Sequence, residues 1–231
     1  IDVIQYWSQG TPPAEIRFLG EKWNRIMTDL GLDRITLFDK GKARAWIADQ
    51  APDFLRPFDT AFHYAIESDV FRLAYASRRE CIYLDTEMWP YPQTRPILGA
   101  LLERGESALY LLKAHPDLAS TFFIARNHCR FFATLADHCR DLDFTQWEQT
   151  AETVMNTFGP GKYTLVFKDI LSSNRGHVEL DPLGPGMAAV RGPDWRITLV
   201  NEQFFAAPAP PLRLGYKGTH DAWQRALKVW R

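Results

Sequence analysis

Two carboxylates separated by a single residue, Asp85 and Glu87, stand directly after the apolar run Cys81-Ile82-Tyr83-Leu84. At an extended strand end, residues two apart point to the same side, so both carboxylates would face one way and Thr86 the other. Hard oxygen donors placed like that suit a Mn²⁺ or Mg²⁺ ion that also grips a diphosphate. Acidic pairs at this spacing are equally at home in exposed turns, so the pair gains meaning only from its surroundings. Upstream, Asp69 and Arg72 are three residues apart and share one helical face, where a local salt bridge is the plain alternative to a ligand contact. The segment that carries them feeds directly into the strand ending at Asp85.

The elements that must position these groups read as alternating strands and helices. Val3 to Trp7 is β-branched and aromatic and stops at Gly10-Thr11-Pro12-Pro13, the pattern of a strand entering a turn. From Ala14 to Leu30, the apolar residues Ile16, Leu19, Trp23, Ile26, Met27 and Leu30 repeat with helical spacing. A strand over Arg34 to Phe38 completes a βαβ opening. Helical spacing returns over Lys42 to Gln50 and, through Phe62, Ile66, Val70, Leu73 and Ala74, over Phe58 to Arg79. Later, Ser120 to Ile124 and Arg196 to Val200 read as strands, and Cys129 to Asp137 and Phe144 to Phe158 as helices. This alternation predicts an α/β fold with a mostly parallel sheet flanked by helices, whose ligand site lies beyond the carboxyl ends of the strands. Ala206 to Pro211 is rich in Pro and Ala and reads as an extended connector, leaving a tail from Leu212 to Arg231.

A chain of 231 residues fits one such domain with a large core and a cleft. The aromatic share, 13% with eight Trp, supplies flat surfaces on which a base or a sugar can stack. A formal net charge of −1 lacks the basic footprint of a protein that lives on phosphate backbones, which argues against nucleic acid as the main partner. No apolar run approaches the ~18 residues of a membrane span. The start, Ile1-Asp2-Val3-Ile4, has no basic stretch leading into an apolar one; because it is not Met, a segment ahead of it is left open. Three cysteines, Cys81, Cys129 and Cys139, are too few and odd in number for a disulfide framework, and a reducing cytoplasm is the simpler expectation, a peripheral place at the inner membrane face remaining compatible.

Other reactive residues carry weaker readings. His128-Cys129-Arg130 and His138-Cys139-Arg140 form a doublet, but a ten-residue separation on a helix leaves its ends about 80° apart, which disfavours a shared zinc ion. His220 could reach a phosphate or simply lie at the surface, and His63 and His177 suggest no role. There is no Ser-His-Asp or Cys-His order and no Gly-rich phosphate loop.

The segment Ala65-Ile66-Glu67-Ser68-Asp69-Val70-Phe71-Arg72-Leu73-Ala74-Tyr75, followed by Ile82-Tyr83-Leu84-Asp85-Thr86-Glu87-Met88, resembles the sugar-binding Asp-x-Asp region of one glycosyltransferase family. That family includes yeast initiating mannosyltransferases, bacterial capsular polysaccharide transferases and, distantly, the large clostridial glucosylating toxins. Weaker likenesses follow in the same order along the chain: Ile4 to Gly10 with the first strand, Phe122 to Ala125 with a mid-domain strand, Asn156 to Gly161 with a Thr-Gly-Pro loop, and Asp221-Ala222-Trp223 with a closing Ser-x-Trp.

The resemblance implies a GT-A-like fold with a catalytic region over 1–205 and a connector and closing tail over 206–231. It implies a nucleotide sugar as donor, UDP- or GDP-linked, a Mn²⁺ or Mg²⁺ ion, a glycan, lipid-linked glycan or protein acceptor, and retention of anomeric configuration. Carried over by position, Trp7 would stack on the base, Asp69 and Arg72 would bind the donor sugar, and Tyr83 would pack beside it. Asp85 would touch ribose, sugar or the metal shell, Glu87 would ligate the metal, Asp221 could complete the metal shell, and Asp221 and Trp223 would close over the pyrophosphate, with Tyr216 to Trp223 acting as a lid. The chain departs from the family at Glu80-Cys81, where a Gly pair lets backbone approach the donor and side chains would now fill that space. It departs again at Glu87, Phe158 and Asp221. Two rivals remain open: a nucleotide-sugar-binding protein without turnover, and a metal-dependent phosphohydrolase, which needs further acidic or His ligands beside Asp85 and Glu87.

Overall fold

The computed structural model of the chain describes residues 1–112, 117–126, 129–150, 153–154, 159–174, 177–184 and 186–208. It begins with strand β1 (Asp2–Tyr6), helix α1 (Ala14–Asp29), β2 (Thr36–Phe38) and α2 (Lys40–Gln50). A 3-10 turn (Pro52–Phe54) leads through α3 (Leu55–Thr60) and α4 (Tyr64–Ala76) to β3 (Cys81–Leu84). Then come β4 (Met88–Pro90), α5 (Thr94–Arg104), β5 (Ser107–Leu111), β6 (Leu118–Ala125) and α6 (Arg130–Cys139). The last described elements are α7 (Pro160–Ser173), β7 (Glu179–Gly184), β8 (Met187–Arg191), β9 (Arg196–Asn201) and β10 (Ala206–Pro208).

The expected βαβ opening forms as read. In α1 the residues Ile16, Leu19, Trp23 and Met27 make one buried stripe, the helical spacing realised as a packing face. α2 starts where the Asp39 carboxylate accepts the Lys42 N–H at 2.8 Å, a side-chain N-cap. The single helix expected over Phe58 to Arg79 is instead two, α3 and α4. The break falls at Ala61 to His63: Ala61 turns extended, and the His63 ring accepts the Ala65 N–H at 3.1 Å and restarts the helix at Tyr64. The helix expected from Phe144 also fails at its start. A 3-10 turn, Phe144–Gln146, ends at Trp147, whose backbone is extended.

The main sheet runs β2-β1-β3-β6-β5-β9-β8-β7. It is mixed: β1 is parallel to β2 and β3, and β5 to β9, whereas β6 lies antiparallel between β3 and β5 and the β7-β8-β9 edge is antiparallel. Strand alternation sends Ile4, Tyr6, Cys81, Tyr83 and Phe123 to one face, where α2, α3, α4, α6 and α7 cover them. Val3, Ile82, Leu84, Phe122 and Ile124 point to the other face, under α1 and α5.

A two-stranded ribbon, β4 with β10, closes that second face. The first three residues of the expected connector are therefore a paired strand, and Ala206 and Ala207 are buried. Pairing satisfies their backbone groups, and Tyr110 donates its hydroxyl to the Ala206 carbonyl. The fully buried indole of Trp23 ties α1 to this ribbon by donating to the Met88 carbonyl at 2.7 Å. Replacing Trp23 by Phe keeps most of the packing and strands that carbonyl. The variant should lose about 1–3 kcal/mol in urea denaturation with an unchanged slope, and a midpoint equal to the parent's would show that water satisfies the carbonyl.

Candidate functional site

The chain leaves β1 for β2 on one side and then crosses back to place β3 on the other. The carboxyl ends of β1 and β3 therefore flank the point where strand order reverses, which is where open α/β sheets leave a crevice for ligands. Trp7 follows β1 and Asp85 follows β3. The two ends are joined by the Gln5 side chain, which donates to the Asp85 carbonyl at 3.4 Å, and the Asp85 N–H is held by the Thr121 carbonyl at 2.8 Å.

Arg72, 4% exposed, is the hub beneath this crevice. Its Nε donates to the Ser68 carbonyl at 3.2 Å, Nη1 to the Ser120 carbonyl, and Nη2 to Ser68 Oγ at 2.8 Å. The same Nη2 lies 3.4 Å from Asp69 Oδ1 and 3.3 Å from Asp85 Oδ1. Beside it, Tyr83 presents its ring face 4.3 Å from the guanidinium carbon and donates its hydroxyl to Asp85 Oδ1 at 2.7 Å. Sequence reasoning placed Asp69, Arg72, Tyr83 and Asp85 at one site, and the structure brings these four together.

Burial pushes the Asp69 carboxyl up to about 7, against the opposing pull of Arg72; Asp85 adds to the rise and a hydrogen bond with Ser120 opposes it. Burial works against the charge on Arg72, but Tyr83, Asp85 and Asp69 outweigh it and hold the proton more firmly than usual. The Tyr83 hydroxyl is raised as well, first by burial, with Asp85 adding and Arg72 opposing.

A second polar cluster sits at the start of α4. Buried Glu67 accepts the Tyr6 hydroxyl at 2.8 Å and the Lys40 ammonium at 2.5 Å, linking α4 to β1 and α2. Burial raises the Tyr64 hydroxyl, and the Glu87 charge adds to that rise, with a hydrogen bond from Gln9 opposing it. Glu87 therefore lies near the head of α4. Trp7 packs with Trp89 against Ile16 and Leu19 of α1.

The strand ends at Leu84, and Asp85 to Met88 form a turn closed by the Met88 N–H on the Asp85 carbonyl at 3.2 Å. Alternation along an extended strand therefore cannot set the directions of Asp85 and Glu87. One carboxylate is turned into the Arg72 network and the other stands by Tyr64. The expectation for Glu80-Cys81 is also overturned. Both lie at the opposite end of β3 from Asp85; Cys81 is fully buried in the core and Glu80 pairs with Arg126 at 3.2 Å, so neither side chain fills space near the crevice.

Among the described residues, no three His, Cys, Asp or Glu side chains converge as a metal cage. Asp85 and Glu87 lie in one turn, the first engaged through Oδ1 by both Arg72 and Tyr83 and the second close to Tyr64. Asp221, Trp223, His220 and the lid segment, like Asn156 to Phe158 and His128, lie outside the described residues.

Sequence reasoning missed Tyr6, Glu67 and Tyr64, and gave Ser68 and Ser120 no part. The i, i+4 spacing of Ser68 and Arg72 was a usable signal for one of these contacts. No helix among the described residues is long and apolar enough to cross a membrane.

No family model matches the sequence, and no curated protein matches it. Among solved structures the chain is similar to one described as the PaToxG glycosyltransferase, at 10% identity and a TM-score of 0.45, covering 74% of this chain and 69% of that one. A likeness that distant carries no argument about activity, so the functional reading stands on the site itself.

The raised Asp69 carboxyl has a sign that can be measured. Between its ordinary range near 4 and about 7, the folded chain keeps a proton that the unfolded chain has lost, so this group makes stability fall as pH rises through that window and has no further effect above it. Asp69→Asn, which cannot ionise, should flatten this fall when urea midpoints are compared between pH 4.5 and pH 7.5, chosen as roughly the window's two sides. A slope identical in parent and variant would mean that Arg72 keeps Asp69 ionised throughout.

Proposed function

We propose that the chain is a glycosyltransferase that moves a sugar from a nucleotide-sugar donor to a glycan, lipid-linked glycan or protein acceptor, with the donor bound in the crevice between the ends of β1 and β3. The observation that carries this reading is the buried Asp69-Arg72-Tyr83-Asp85 network at the reversal of strand order, with Glu87 in the turn just beyond it. Those residues belong to the one segment whose resemblance to a sugar-binding Asp-x-Asp region is specific.

In this reading Trp7 stacks on the base, at the end of the first strand. Asp69 and Arg72 form the floor for the donor sugar. All three guanidinium nitrogens of Arg72 already have protein acceptors, so its strongest effect on the donor runs through the two carboxylates it orients. Asp69, which burial inclines to hold its proton near neutrality, can donate to a sugar hydroxyl as well as accept from one. Asp85 and Glu87 would hold Mn²⁺ or Mg²⁺, which neutralises the charge that grows on the departing diphosphate. Trp223 and Asp221 are assigned to closing the site, which would keep water from the reacting centre.

Glu87→Ala keeps the Arg72 network intact and removes the carboxylate that stands outside it. With a panel of UDP- and GDP-sugars and Mn²⁺, turnover in this variant should fall on the order of 100-fold, and excess EDTA should abolish it in the parent. Metal-dependent donor binding without turnover in the parent would identify a binding protein instead. Release of phosphate from simple phosphate esters, with nucleotide sugars left untouched, would identify a phosphohydrolase.

A further inference from the structure

A polar cavity lies at the opposite end of the sheet from Asp85. Because β6 runs antiparallel to β3 and β5, its carboxyl end meets the amino ends of β5 and β9, as the pairings Ala108 with Ile124 and Ser107 with Ile197 show. A cavity of about 300 Å³ opens there, lined among others by Arg126, Arg130, Arg196 and Trp195. From this geometry we propose that the cavity binds a compact organic phosphate of the hexose phosphate class, at a site separate from the Asp85 crevice.

The charges lining the cavity point to an anion. Glu106 is already consumed: one oxygen takes Arg196 at 2.6 Å and Arg104 at 3.2 Å, and the other takes the Thr198 hydroxyl at 2.9 Å. Arg126 spends Nη1 on Glu80, but its Nε–H is buried with no acceptor among the described residues. Arg130 is exposed and has no carboxylate partner among the described residues. Asp194, also exposed, is the remaining acid of the lining. The exposed Arg130 guanidinium and the Arg126 donors not spent on Glu80 favour an oxyanion, which can accept from both with charge-assisted bonds.

Two further features narrow the ligand. α6 begins at this cavity, and its N-cap residue Cys129 provides no side-chain acceptor, so the first-turn N–H groups add to the attraction for an anion. The Trp195 indole forms a wall, with its N–H edge packed against Gly192. A cavity at the low end of the roughly 300–1,000 Å³ of ligand sites has room for more than a bare phosphate and less than a nucleotide sugar. A phosphate on the arginines with a sugar ring against Trp195 satisfies both the charge and the volume.

Calorimetric titration of the full chain with a hexose phosphate, with inorganic phosphate and with the unphosphorylated hexose tests the assignment. The hexose phosphate should bind most tightly, inorganic phosphate more weakly and the hexose not at all. Arg130→Gln, at an exposed position, should weaken hexose phosphate binding about tenfold or more without moving the melting temperature. Glu87→Ala should leave it unchanged. The Trp195 indole N–H resonance, identified by its loss in Trp195→Phe, should shift on titration. Equal affinity in the parent and Arg130→Gln, loss of binding in Glu87→Ala, or an unmoved Trp195 resonance would each overturn the proposal, whatever the fate of the glycosyltransferase reading.

Discussion

The buried guanidinium of Arg72 is the constraint on which the site depends. Burying one cation unpaired costs several kcal/mol, so the fold that encloses it must bring acceptors to every donor. Those acceptors come from three elements: Ser68 and Asp69 on α4, the Ser120 carbonyl on β6, and Asp85 after β3. Moving any one of them leaves a charge unmet. The same requirement that makes Arg72 expensive thus fixes the helix, the strand end and the neighbouring strand relative to one another, and with them the direction of the Asp85 carboxylate. A lysine could not do this, since a single ammonium has three donors and no planar fork.

Around this hub the chain uses α4 in an unusual way. Every residue from Ile66 to Tyr75 is buried, including Glu67, Ser68, Asp69 and Arg72, so the helix has no solvent face over those turns. Such a helix is tolerable only when its polar side chains are paired inside. Glu67 does so toward β1 and α2, through Tyr6 and Lys40, and Arg72 does so toward β3 and β6. The two clusters pin the carboxyl ends of β1 and β3 from the same helix, one on each side of the point where strand order reverses. The strand ends that flank the crevice are consequently held from within the core.

How much of this was legible in the sequence follows from which interactions leave a mark on it. The run Cys81 to Leu84 gave its strand to the residue, and the Ile16, Leu19, Trp23, Met27 spacing gave α1, because burial on a repeating face writes a period. The break between α3 and α4 left no such mark: Phe58, Phe62 and Ile66 continue one helical period across it, and the histidine that restarts the helix is an uncommon cap. The turn at Asp85 to Met88 defeated the alternation rule, which holds only while the backbone stays extended. Acceptors such as the Ser120 carbonyl are backbone atoms and have no residue type to recognise. The distance from Glu80-Cys81 to the crevice was hidden for the opposite reason, since four strand residues are close in sequence but span the depth of the sheet.

The antiparallel placement of β6 has a consequence that composition conceals. A net charge of −1 suggests an electrically even surface, yet the topology sorts the charges by the end of the sheet at which strands stop and start. At the carboxyl ends of β1 and β3 gather Glu67, Asp69, Asp85 and Glu87, with Arg72 sealed beneath them and Lys40 at the rim. At the other end, where β6 finishes and β5 and β9 begin, gather Arg104, Arg126, Arg130 and Arg196, with Glu80, Glu106 and Asp194 among them. Had β6 run parallel to its neighbours, its carboxyl end and the start of α6 would have opened into the acidic crevice, placing Arg126 and Arg130 among the carboxylates that are assigned to a metal. Reversing one strand keeps Arg126 and Arg130 out of that crevice, whose charged groups are the carboxylates, the buried Arg72 and Lys40 at the rim.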